Sequence, residues 1–154
     1  QLFYFENFDL DFLCTKSPIF INNQYKVLNS KKRLLKKINK SDLYSKNIIA
    51  HSSVMYKKKF AKYNEDIFTN VDIDVWLRLI SKNVNLYFLN LSLTYIRKHK
   101  NQYFPGNSKM DKFKYFINSI KIRINNSHKF YDYTLVFVYA FRTLFTKSLA
   151  VFMR

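Results

Sequence analysis

Two aspartates, Asp72 and Asp74, and three histidines, His51, His99 and His128, are the side chains through which this chain could do acid–base or metal chemistry. A separation of two turns the aspartates to different sides of a helix, so they do not form a facing carboxylate pair. Taken alone, Asp72 fits a helix N-cap and Asp74 a favourable charge in the first turn. His51 sits in the apolar run Asn47–Tyr56, either as a hydrogen-bonded structural histidine or as a ligand. His99 lies in Arg97-Lys98-His99-Lys100, a solvated cation cluster or a contact for an anion or metal; His128 has no chemical context. Cys14 is the only cysteine, which excludes an internal disulfide and a cysteine-based zinc site and fits a reducing compartment. A single glycine leaves no glycine-rich phosphate loop.

The elements that must position these groups read as an α/β domain. The chain has 154 residues, 48% hydrophobic and 24% charged, enough for one core and too apolar for a disordered tail. Asp11–Thr15 and Pro18–Ile21 are short apolar stretches, with a turn at Asn22-Asn23 before Gln24–Leu28, and a pair of strands is expected there. Leu34, Leu35 and Ile38 predict a basic amphipathic helix over Ser30–Lys40. Asn47–Tyr56 reads as a strand and Lys57–Tyr63 as a short helix or turn. Asp72–Lys82 reads as a helix with Val75, Trp76, Leu79 and Ile80 inward, Trp76 as core packing. Strands at Asn85–Leu91 and Ser92–Ile96, divided at Asn90, are followed by a loop over Asn101–Lys109. Helices over Met110–Ile124 and Phe130–Met153 complete the chain.

The net charge of +17 favours anionic partners. In Lys31–Lys40 the cations alternate with core residues, and the aromatics do not flank them, so nucleic acid is not expected as a partner. No run reaches the roughly 20 apolar residues of a spanning helix. In the last helix Arg142, Thr143, Thr146 and Lys147 fall on one side, and Leu135, Val138, Phe141, Phe145, Leu149 and Phe152 on the other. With the basic flank Lys121, Arg123 and Lys129, opposed by Asp132 alone, this fits a helix lying in an anionic membrane interface. It equally fits a helix packed on the domain's own core.

Four motifs together resemble family 2 glycosyltransferases of the GT-A fold. Asn47-Ile48-Ile49-Ala50-His51-Ser52-Ser53-Val54-Met55-Tyr56 resembles that family's Asn-Pro-x-x-His-Ser-Ser-Val-Met-Phe strand. Tyr63-Asn64-Glu65 resembles its Tyr-Asp-Glu. Val71-Asp72-Ile73-Asp74-Val75-Trp76-Leu77-Arg78-Leu79 resembles its Glu-Asp-Tyr-Asp-Leu-Trp-Leu-Arg-Leu, and Asp72 follows Tyr63 by nine residues, as in the family. Arg97-Lys98-His99-Lys100-Asn101-Gln102 is similar to its Arg-x-His-x-x-Gln. Val71 and Ile48 depart from the pattern, and the nucleotide-binding strands and metal-holding Asp-x-Asp of the family have no counterpart. Asp9-Leu10-Asp11 has the letters of such a motif in the wrong place relative to His51.

The resemblance implies a partial GT-A-type fold: the C-terminal, acceptor-side half of the catalytic domain over residues 1–104, and a helical extension over 105–154. It implies inverting transfer from a nucleotide-sugar donor to a glycan or lipid-linked acceptor at the cytoplasmic membrane face. Asp72 would be the general base, with His51, Ser52 and Arg97 binding substrate. His99 would be a ligand of a divalent metal, Mg or Mn, whose other ligands lie outside this chain. The chain alone is then expected to be inactive. The competing expectation is a non-catalytic basic module that binds nucleic acid or anionic membrane.

Overall fold

The computed structural model describes residues 1–20, 34–60, 62–97 and 108–152. Among them, in chain order, are α1 (Leu2–Asn7), β1 (Phe12–Lys16), β2 (Ile19–Phe20), β3 (Leu35–Lys37) and α2 (Lys40–Ser45). A 3₁₀ turn at His51–Ser53, β4 (Met55–Tyr56), a second 3₁₀ turn at Lys58–Phe60 and α3 (Val71–Ser81) follow. The remaining elements are β5 (Leu86–Ser92), β6 (Ile96–Arg97), α4 (Lys109–Asn125) and α5 (Phe130–Phe152). The class is mixed α/β, as the order of elements predicts. One sheet runs β3-β5-β1-β4, with β5 parallel to β1 and the outer strands antiparallel to their neighbours; β2 and β6 form a separate parallel pair.

The sheet is buried on both faces, which is why Phe12-Leu13-Cys14 reads as an unbroken apolar run. Phe12, Cys14, Leu86 and Phe88 face one core, with Trp76, Leu77 and Val75 of α3 and Leu43 and Tyr44 of α2. Leu13, Leu89 and Leu35 face the other core, closed by Tyr4 and Phe5 of α1. Ile122 of α4 and Val136 of α5 belong to the first core, so the C-terminal helices pack on the sheet layer. Polar contacts lock that packing: Tyr44 Oη donates to Asn126 O at 3.0 Å, and Asn126 Nδ2 to Asp74 Oδ1 at 3.1 Å.

Three expectations change. Of the described part of Ser30–Lys40 only Lys40 is helical: Leu35–Lys37 is β3, antiparallel to β5. Leu35 and Ile38 join opposite cores, as an odd separation in extended chain requires, whereas a helix would put them on one face. The helix starts later, at Lys40, where Asp42 Oδ2 accepts from Asn39 N at 3.0 Å. Asn47–Tyr56 is not a continuous strand, because His51–Ser53 turns. Ser53 Oγ donates to Ala50 O at 2.8 Å and accepts from Thr15 N at 3.3 Å, a local alternative to ladder bonding. The third change concerns Asn90, which does not divide the strand: its N–H donates to Leu34 O at 2.7 Å and β5 continues to Ser92. The expected Gln24–Leu28 strand, the Asn22-Asn23 turn and residues 101–107 of the expected loop lie outside the described residues.

Candidate functional site

The start of α3 is the centre of the site. Asn70, in the left-handed region at φ 59°, precedes the helix as its N-cap. Asp72 is therefore a first-turn residue rather than the cap that spacing suggests. Its Oδ2 accepts from Asn47 Nδ2 at 2.8 Å, which ties it to the segment leading into the His51 turn. Asp74, also in the first turn, is buried and pairs with Arg78 Nη2 at 3.1 Å. Arg78 in turn donates to Lys62 O at 2.7 Å, holding the Tyr63 segment against α3.

His51 is exposed in its turn, not enclosed in a strand. Its ring stands edge-on to Trp76 at 6.0 Å between centroids, and Trp76 is fully buried, as expected for core packing. His51 Nε2 lies 3.1 Å from Tyr63 Oη, which is 3.2 Å from Tyr56 Oη. Burial, the Tyr56 hydroxyl and the nearby charge of Asp72 push the Tyr63 phenol up to about 12. Tyr63 is thus a donor at neutral pH. A relay from Tyr56 to Tyr63 to His51 satisfies all three groups when His51 carries its proton on Nδ1. On α4, Tyr115 O accepts from Asn70 Nδ2 at 3.3 Å, and burial first, then the charges of Asp72 and Tyr139, raise its phenol, while Arg123 pulls the other way.

The structure thus gathers Asn47, His51, Tyr63 and Asp72, from three separate motifs, around the first turn of α3. Ser52 is exposed in the same turn as His51. The neighbour that anchors this turn is Ser53, whose carbonyl accepts from Gln1 Nε2 at 2.8 Å. Arg97 is exposed on β6, in register with Phe20 in the two-stranded sheet. His99 lies outside the described residues. Asp9 and Asp11 are both paired with Lys57, at 3.0 and 3.1 Å. Among the described residues no three His, Cys, Asp or Glu side chains converge as a cation site, so they do not themselves fit a metal cage. Sequence reasoning missed Tyr115, and it gave Tyr56 no role beyond its place in a motif, because aromatic spacing carries no chemical signal. It carried Asn47 and Tyr63 only as letters of a motif.

Two further features frame this centre. A cavity of about 690 Å³ is formed by Thr69 and a face of α4 that includes Met110, Phe113, Tyr115 and Lys121. On α5, Phe137, Phe141 and Leu144 are 70, 53 and 56% exposed, while Asp132 and Val136 are buried against the domain. Arg123 leaves the expected basic flank: it is buried among Leu43, Tyr44 and Ser119. No helix among the described residues is long and apolar enough to cross a membrane. Comparison with protein-family models, curated proteins and solved structures finds no match.

Proposed function

We propose that this chain is the acceptor-side part of a GT-A-type, inverting glycosyltransferase, with Asp72 as its general base. The observation that supports it is that Asn47 holds Asp72 at 2.8 Å across 25 residues of chain, while His51 meets Tyr63, whose phenol feels the Asp72 charge. These are the positions by which the sequence resembles family 2. In the reaction Asp72 takes the proton of the acceptor hydroxyl as its oxygen bonds to the anomeric carbon and the nucleoside diphosphate leaves. Asn47 holds the carboxylate, and the His51 and Tyr63 dipoles face the acceptor's hydroxyls. A divalent metal, with His99 among its ligands, would stabilise the leaving diphosphate when bound.

The test is nucleotide-sugar turnover by the full reading frame that contains this chain, with Asp72→Asn as the variant. Loss of a positioned base lowers the rate by about 10²–10⁴. Turnover within a few-fold of the parent, at unchanged melting temperature, overturns the assignment of Asp72. Absence of turnover with every nucleotide-sugar overturns the reading itself.

The exposed face of α5 supports peripheral attachment of the same protein to an anionic membrane, at its cytoplasmic side. Phe137, Phe141 and Leu144 supply burial that salt does not screen, and the net positive charge supplies attraction that salt does.

A further inference from the structure

A second cleft, about 390 Å³, opens between the Ser45–Asn47 segment, α4 and α5, and three cations line it: Lys46, Arg123 and Arg142. Asn47, Ser119 and Thr143 add neutral polar groups, and among the described residues no Asp or Glu lines it. Arg123 is the unusual member. It is 2% exposed, yet its guanidinium meets only neutral acceptors: Tyr44 O at 3.0 Å, Ser119 O at 3.1 Å and Leu43 O at 3.3 Å. The Tyr139 ring covers it at 3.8 Å. Among the described residues no carboxylate pairs with it. An arginine keeps its charge when buried, and a buried cation without a counter-anion is costly. Carbonyl dipoles offset part of that cost and leave a positive potential focused in a low-dielectric cleft.

We propose that this cleft binds a phosphate or diphosphate group, held by Lys46 and Arg142 at the rim over the buried charge of Arg123. The size admits a diphosphate with part of its substituent. Asn47 lines the cleft and also donates to Asp72, so the bound group lies beside the α3 start. The inference does not depend on transferase activity, because binding is read without turnover and Asp72 is left intact.

The experiment titrates the 154-residue chain with inorganic pyrophosphate by calorimetry, and separately with phosphatidylcholine vesicles with and without phosphatidic acid. The variant is Lys46→Ala/Arg142→Ala, both at exposed positions. Arg123 is kept, since its loss would leave the Tyr44 and Leu43 carbonyls unpaired and endanger the fold. The control is Lys82→Ala/Lys112→Ala, which removes the same charge from exposed positions outside the cleft. Two charge-assisted contacts, each about tenfold, predict saturable one-to-one binding weakened about 100-fold in the variant and little in the control. That pattern with pyrophosphate identifies a soluble phosphate ligand; the pattern confined to phosphatidic acid vesicles identifies a lipid headgroup. Equal weakening by variant and control shows diffuse attraction to a basic protein and overturns the proposal. So does the absence of saturable binding to either probe.

Discussion

Asp132 fastens the first turn of α5 to the rest of the molecule, and its removal tests whether that helix is docked by charge as well as by burial. The carboxylate is 1% exposed; its Oδ2 accepts from His128 N at 2.9 Å, Lys129 N at 3.1 Å and Lys40 Nζ at 2.6 Å. Asp132→Asn keeps the shape and an acceptor oxygen but removes the charge from these bonds. Since Lys40 is only partly buried, the loss is about 1–2 kcal/mol. Asp132→Ala also removes the cap and leaves its donors without an acceptor, for a total of about 3 kcal/mol. At about 2–4 °C per kcal/mol for a domain of this size, the alanine variant melts about 6–12 °C below the parent. The pH dependence separates charge from shape. Burial acts to raise the Asp132 carboxyl, but the Lys40 ammonium and the two backbone N–H groups outweigh it and hold it below the usual carboxylate value. A depressed carboxylate stabilises fully above the unfolded value of about 4 and loses that contribution as pH falls through the folded value. The gap in melting temperature between parent and Asp132→Asn is therefore full at pH 7 and closes below about pH 4. A gap that is absent at pH 7, or that persists undiminished at pH 2.5, refutes the reasoning.

Other perturbations follow from single features. Cys14 is fully buried and its thiol is pushed up to about 12 by burial, so a thiol reagent at pH 8 modifies it only at the rate of unfolding; modification of the folded protein at a free-thiol rate contradicts this. Asn83 follows α3 at φ 60°, with its N–H on Ile80 O and Val84 N–H on Leu79 O, so Asn83→Val costs about 1–2 kcal/mol in denaturant melts and Asn83→Gly does not. Equal losses for the two variants would remove the backbone argument. Phe137→Ser/Phe141→Ser, on the exposed face of α5, is expected to lose sedimentation with anionic vesicles while keeping its melting temperature. High salt should reduce vesicle binding by the parent without abolishing it; a variant that sediments like the parent sinks the membrane reading.

Elements whose burial pattern is complete within a short window could be read before any fold was known. The apolar run of β1, the 3.6-residue period of α3 with Trp76 inward, and the long C-terminal helices were legible because each carries its own burial pattern. The α/β class followed from their order. Tertiary structure decided what local pattern leaves ambiguous. Leu35 became strand because it pairs with Leu89, far along the chain, and no window over Ser30–Lys40 contains that partner. His51 became an exposed turn because Ser53 reaches Thr15 and Gln1. Arg123 and Asp132 read as surface charges in the sequence. They are buried because Tyr44, Ser119 and Lys40 offer acceptors and a counter-charge only once α2, α4 and α5 have packed together. The same holds for the site: Asn47, His51, Tyr63 and Asp72 are separate letters along the chain. They become one constellation only because Arg78, half-buried and paired with buried Asp74, also bonds Lys62 O and so pins the Tyr63 segment to α3, a contact that spacing alone does not specify.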